Sequence, residues 1–266
     1  MRALLLVAAL ALSACTVIEK QEIIGKVDTL YNRGMDELEA KKWASAVNTF
    51  EELERQHPYS EWATRAQMMT AYAHFSAEEY DEAVVAADRF IRLHPGHKDL
   101  PYAYYIKGMS HYYRISDVKR DQGSTRDALA AFEELVQRFP NSKYAQDASL
   151  KITLCKDHLA GQEMAVGRFY QEQKKYQAAI NRYQTVVATY PRTPQSQEAL
   201  YRITESYLAL GVDDEAKRAA AILGYNHPKS EWYGKAYTLL TDKQLAPVGQ
   251  KESWFTRVKE GVTKLF

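Results

Sequence analysis

Residues 34–58, GMDELEAKKWASAVNTFEELERQHP, carry the pattern that decides the fold. Ala46 lies twelve residues after Gly34 and twelve before Pro58, and Phe50 follows Ala46 by about one helical turn. Two antiparallel helices approach closely only where a facing side chain is small, and a larger residue one turn on fills the space beside it. Pro58 stops the second helix, since proline lacks the N–H and its ring clashes with the preceding turn. Trp43, three residues before Ala46, is placed to cover the turn between the two helices.

Outward from this stretch the signature recurs. Pro58, Pro95, Pro140, Pro191 and Pro228 each end a helical pattern, at spacings of 37, 45, 51 and 37 residues. Twelve residues before them stand Ala46, Ala83, Ala128, Ala179 and Ala216, and eight before them Phe50, Ala87, Phe132, Tyr183 and Ala220. Tyr80 and Tyr176 repeat the placing of Trp43. The pattern resembles the tetratricopeptide repeat, a helical hairpin of 34 residues that stacks into a solenoid. It predicts an all-α superhelix of five repeats, at about 27–60, 64–97, 101–142, 145–193 and 197–230.

Two repeats are too long. In the third, Gly108 stands twenty residues before Ala128, which places an eight-residue polar insert around positions 117–124, read as a surface loop. In the fourth, residues 144–160 and 164–172 are both helically periodic, so the excess is either an extra helix or one long helix bent near Gly161. A further helix over about 231–240 would cap the last repeat. Pro247 and Gly249 then break the chain, and Trp254 or Phe255, Val258, Val262 and Phe266 fall at helical spacing with basic residues opposite. That amphipathic tail suits a partner, the membrane interface or its own last repeat.

The amino terminus predicts an anchor. Arg2 is followed by ten apolar residues, 3–12, and then by Ser13, Ala14 and Cys15. The run is about half a membrane span and fits a secretory signal. Leu12-Ser13-Ala14-Cys15 resembles the bacterial lipobox, in which the cysteine is acylated and the chain is cut before it. Thr16 after the cysteine favours sorting to the outer membrane. Lys+Arg 35 against Asp+Glu 34 leave no basic excess, which argues against a nucleic-acid footprint. With Cys15 lipidated, Cys155 has no disulfide partner, and its neighbours Ile152, Leu154 and Leu159 suit a small core residue.

Local words extend the resemblance. Residues 88–95 (DRFIRLHP), 102–109 (YAYYIKGM), 139–144 (FPNSKY), 156–160 (KDHLA) and 166–170 (VGRFY) are similar, in order, to the outer-membrane protein assembly factor BamD family. The resemblance implies a non-catalytic scaffold lipoprotein, lipid-anchored in the outer membrane and facing the periplasm. It would bind the periplasmic domain of a BamA-like barrel protein, other assembly lipoproteins and unfolded outer-membrane protein precursors. On that reading, 1–14 is a signal peptide and 15–26 a lipidated linker. Repeats 1–3 (27–142) form a substrate-side groove, 143–240 the partner side with its cap, and 241–266 an extended tail. The alternative is a periplasmic repeat adaptor organising cell-wall synthesis or another envelope complex.

No catalytic constellation, metal site or cofactor site is legible. His57, His94 and His227 recur beside prolines at equivalent repeat ends, which the array separates, so they read as structural. Tyr102, Tyr104, Tyr105, Tyr112 and Tyr113 cannot share one face of a helix. They serve either packing between helices or contact with an extended, aromatic-ended peptide, because tyrosine buries large area yet keeps a hydroxyl. The resemblance places Arg182 at a family arginine that pairs with a carboxylate of BamA; the alternative is a solvated arginine.

Overall fold

The computed structural model describes residues 26–245. Among these are eleven α-helices and no strand. They are α1 (Val27–Glu39), α2 (Trp43–Gln56), α3 (Glu61–Ser76), α4 (Tyr80–Leu93), α5 (Leu100–Tyr113), α6 (Gly123–Arg138), α7 (Ala145–Glu172), α8 (Tyr176–Thr189), α9 (Gln195–Ala209), α10 (Asp213–Asn226) and α11 (Glu231–Asp242). Each odd-numbered helix up to α9 pairs with the next, each hairpin packs on the one before, and α11 lies on α9 and α10. The signal segment, Cys15 and the tail beyond 245 lie outside the described residues.

The small-to-large rule is met by a ring on a glycine. A Cβ at Gly34 would run into the ring of Phe50, one at Gly108 into Phe132, and one at Gly167 into Tyr183. The sequence pattern paired Gly34 with Ala46; the structure seats Phe50 there and buries Ala46 beside it. In the second and fifth hairpins Ala71 and Thr204 take the glycine's place and Ala87 and Ala220 the ring's, all four buried. Each buried ring or leucine on this seam contributes about 1.5–3 kcal/mol.

The five pre-proline residues build one turn five times over. His57, His94, Phe139, Tyr190 and His227 are the C-caps of α2, α4, α6, α8 and α10, with φ between −136 and −124. A residue before proline is driven out of the helical region, so the helix stops there. Each cap donates its N–H to the carbonyl four residues back and accepts from the N–H three residues on, as in His57 N to Leu53 O at 2.9 Å and Ser60 N to His57 O at 3.0 Å. The recurrent histidines therefore end helices, as the sequence pattern expects.

Within hairpins the turns use a left-handed residue. Lys41 (φ 55), Glu78 (φ 62), Lys174 (φ 59) and Gly211 (φ 74) follow α1, α3, α7 and α9. The next N–H reaches back to the helix, as Lys42 N does to Glu37 O at 2.8 Å, which caps the exposed carbonyls. Only the fifth hairpin places glycine where side chains are strained.

The third hairpin replaces that turn with a connection over 114–122. The insert therefore begins and ends slightly earlier than the sequence suggests, because Gly123 and Ser124 open α6. Gln122 holds the loop together: its Nε2 donates to Asp117 O at 3.1 Å and Arg120 O at 3.0 Å, and its Oε1 accepts from Thr125 Oγ1 at 2.8 Å.

The fourth repeat's excess is one helix of 28 residues, α7, with no additional helix. Its first half packs on α5 and α6 through Ala148 and Cys155, and its second half meets α8 and α9 through Ala160 and Met164. Gly161, the expected bend, lies inside the helix and is where Val118 of the insert rests, 3.2 Å from where a Cβ would be. The thiol of Cys155 is wholly buried, and burial pushes it up to about 11.

Candidate partner-binding surfaces

The five tyrosines of α5 divide by direction. Tyr104 turns inward and is 2% exposed. Its hydroxyl donates to Glu134 Oε1 at 2.7 Å and accepts from Arg138 Nη1, whose guanidinium also lies over the ring. Burial and the Glu134 carboxylate push that hydroxyl up to about 12. Tyr104 therefore ties α5 to α6.

Tyr102 and Tyr105 clasp Tyr144 between them, with ring centroids at 5.2 and 5.0 Å and interplanar angles of 22° and 26°. The Tyr105 hydroxyl donates to Asp147 Oδ2 at 2.9 Å; burial and that carboxylate raise it to about 12. Burial raises the Tyr102 hydroxyl too. Tyr112 is half-buried, edge-on to Phe132, with Lys151 Nζ 4.7 Å from its centroid. Tyr113 alone of the five is exposed, at 56%, and stacks on Tyr80 at 5.6 Å.

Beyond Tyr112 the surface opens into a recess of about 330 Å³ lined by Tyr112, Ile115, Leu154 and His158. Leu150 and Leu154, one turn apart on α7, are 62% and 48% exposed. A second groove of about 700 Å³ runs between the insert and the far half of α7, with Val118, Ala165, Val166 and Phe169 as its apolar lining and Lys119 and Arg168 among its charges. Neither recess stands out in the sequence. Each needs the insert's path over α7, and only the isolated Ile115 and Val118 in a polar run hint at it.

Arg182 projects from α8 and is about half exposed. Its Nη1 lies 3.3 Å from Glu163 Oε2 of α7, so the guanidinium already has one carboxylate within the chain. Its other donors remain for a second, since the fork carries five N–H groups. Towards the carboxy-terminal end lies a polar and aromatic cluster that the sequence reading did not single out. Arg202 bonds Glu205 at 2.7 Å and Glu198 at 3.3 Å, Arg168 shares Glu198 at 3.1 Å, and the Arg202 guanidinium lies over Tyr201 and Trp232. Its signal was the run Glu198, Tyr201, Arg202, Glu205, which is helically spaced.

Among the described residues no group of three or more His, Cys, Asp or Glu comes together as a metal site, and no helix is long and apolar enough to cross a membrane. The geometry is that of rigid helices presenting clefts and half-exposed charges.

Comparison with known proteins bears on the family. Residues 25–223 match the family described as YfiO, outer membrane lipoprotein. The protein named outer membrane protein assembly factor BamD from Caulobacter vibrioides is 48% identical over 221 residues, covering 83% of this chain and 72% of that one. Its namesake from Rickettsia prowazekii is 46% identical over 241 residues, covering 90% and 96%, and that of Neisseria meningitidis serogroup A is 37% identical over 244 residues, covering 86% and 91%. Among solved structures, the TPR domain of P58(IPK) aligns with a TM-score of 0.42 at 14% identity, over 90% of this chain and 65% of that one. With the family match running from before α1 into α10 and the relatives spanning most of their own length, the chain belongs to the YfiO outer membrane lipoprotein family, the family of BamD.

Proposed function

We propose that this protein is a non-catalytic scaffold lipoprotein of the machinery that assembles β-barrel proteins into the outer membrane. Cys15 carries the lipid, and the repeats face the periplasm. The observation that carries the reading is the family match across residues 25–223, the whole repeat array up to α10. The clefts add a physical means. An extended precursor ending in an aromatic residue would lay its apolar side chains along Tyr112, Leu150 and Leu154 and bury its last ring in the recess beside His158. Tyr102, Tyr105 and Tyr113 continue that surface. Arg182 would grip a carboxylate of the periplasmic domain of a BamA-like partner, with Glu163 holding the guanidinium in place. Other assembly lipoproteins attach elsewhere on the array.

The test is purification from detergent-solubilised membranes with native partners. A BamA-like barrel protein should co-purify in stoichiometric amount, and peptides from barrel carboxy termini should bind the isolated chain. Binding to peptidoglycan with no barrel protein among the partners would overturn the proposal in favour of a cell-wall adaptor.

A further inference from the structure

One joint between neighbouring repeats is closed in two places along the array and open in a third. Four positions define it: the residues four before and nine after one repeat-ending proline, and the residues six and one before the next. In the first joint these are Glu54, Gln67, Arg89 and His94, and they bond to one another. Gln67 Nε2 donates to Glu54 Oε1 at 2.8 Å, Arg89 Nη1 donates to Glu54 Oε2 at 3.1 Å, and His94 Nε2 meets Gln67 Oε1 at 2.6 Å. In the second joint the positions hold Ile91, Tyr104, Glu134 and Phe139. Tyr104 fills it with a ring whose centroid is 6.0 Å from that of Phe139, and its hydroxyl donates to Glu134 at 2.7 Å.

In the last joint the same four positions hold Val187, Leu200, Ile222 and His227. Three aliphatic side chains can neither bridge by hydrogen bonds nor reach as far as a tyrosine, and a recess of about 110 Å³ is left between α8, α9 and α10. Pro191 and Tyr225 complete its apolar wall, with Tyr225 47% exposed. Of the polar lining, Ser196 already gives its hydroxyl to Pro191 O at 3.1 Å, which leaves the Asn226 amide and the His227 ring for a peptide backbone. An apolar cavity of about 150 Å³ holds benzene, so this one suits a four-carbon side chain such as that of leucine.

The charge around the recess has one sign. α8 has no acidic residue, unlike the other second helices α2, α4, α6 and α10, and residues 173–197 and 216–230 contain no Asp or Glu at all. Arg192 and Lys229 stand one and two residues beyond the lining residues Pro191 and His227. Both are exposed, and among the described residues neither pairs with a carboxylate. The next acids along the chain are engaged: Glu198 by Arg168 and Arg202, and Glu231 by Lys235. Asp214 and Glu215, at the far end of α10, hold Lys217 and Arg218. Arg182 lies about 140° around α8 from Val187, on the side of Glu163, so the recess is a surface separate from the Arg182 contact.

We propose that this open joint is a docking site for an extended acidic peptide segment of another protein. The segment seats one leucine-sized side chain between α8, α9 and α10 and sets its flanking carboxylates against Arg192 and Lys229. The apolar fit selects the side chain, and the unopposed cations select the acidic flanks.

The test titrates the full chain with the acetylated, amidated peptide Glu-Glu-Leu-Glu-Glu and follows amide resonances by NMR. Shifts should centre on residues 222–227 and saturate in the millimolar range. Alanine in place of the leucine, or lysine in place of the glutamates, should weaken binding by about tenfold or more. Arg192→Glu/Lys229→Glu changes only exposed side chains and should weaken it as much, with the helical spectrum intact. Val187→Glu/Leu200→Gln/Ile222→Arg rebuilds the first joint's network on His227 and should close the recess, abolishing the shifts. If that triple variant fails to fold, the charge reversals and the peptide series still decide. No shift at residues 222–227, equal binding of the alanine or lysine peptide, or undiminished binding by the charge-reversed chain would overturn the proposal. Binding to vesicles of anionic phospholipid that the same reversals abolish, with no response to peptide, would overturn it in favour of a lipid surface.

Discussion

Gly34 and Phe50 are packed so closely that a Cβ on the glycine would fall within 3.0 Å of three atoms of the ring. Gly108 with Phe132 and Gly167 with Tyr183 repeat the relationship in the third and fourth hairpins. Alanine at Gly34 gains about 1 kcal/mol of helix propensity but overpacks a buried seam at a cost of about 1–3 kcal/mol. The fully buried ring has little room to move, so overpacking wins. Gly34→Ala should lower stability by up to about 2 kcal/mol in urea unfolding, and Phe50→Leu in the same chain should recover part of it. Additive losses would mean that the two residues do not share the seam.

Tyr104 and Leu154 should separate stability from binding. Tyr104→Phe leaves Glu134 and Arg138 only each other and removes a buried hydroxyl's bonds, which should cost about 1 kcal/mol of stability with peptide affinity unchanged. Leu154→Asp alters an exposed position, so stability should move by no more than about 0.5 kcal/mol. Its effect belongs to the recess. Affinity for a barrel carboxy-terminal peptide, measured by fluorescence anisotropy, should fall by about tenfold or more.

Charge reversal at Arg182 should weaken binding to the BamA-like partner by about 2–5 kcal/mol in calorimetric titration, since a directional pair is lost and a carboxylate is left facing a carboxylate. The new glutamate also faces Glu163, but both sites are partly solvated, so unfolding should shift by less than about 1 kcal/mol. Glu163→Gln provides the control. It frees the guanidinium without removing it, and binding should persist. Unchanged affinity for Arg182→Glu with intact helicity would remove Arg182 from the interface.

His94 gives the stability a pH dependence. Its Nε2 bonds Gln67 Oε1 at 2.6 Å and its ring lies against Phe90 and His97. Burial, then the neighbouring His97, lowers its pKa, and Arg89 adds to this while Glu54 opposes. The unfolded chain therefore binds the proton first, and stability present at neutral pH is lost as pH falls below about 6.5. Thermal melts from pH 7.5 to 5 should show the decline. Asparagine at this position should flatten part of it.

The repeats were legible because packing between helices imposes a period, and a period survives in the order of residues. Pro58 and its counterparts mark the helix ends through backbone sterics alone. The left-handed turns were not legible, since Lys41, Glu78 and Lys174 stand where glycine would have announced them. The insert's seat was hidden as well: Val118 meets Gly161 across forty-three residues, and nothing local to either position records that contact. Of the site, the sequence gathered five tyrosines on one helix. Which of them face water depends on Tyr144, Phe132 and Lys151, contributed by other elements.

One unbroken α7 sets a phase as well as a spacing. Leu154, on the recess, and Glu163, which holds Arg182, are nine residues apart on the same rigid rod, about 13.5 Å along its axis at 1.5 Å per residue. Each residue also turns the rod by about 100°, so one added between them would swing one surface a quarter-turn or more away from the other. A full turn of helix could be gained with their alignment nearly kept. The angle between the place where a precursor would lie and the place where a partner would hold is therefore written in the helical pitch of a single segment.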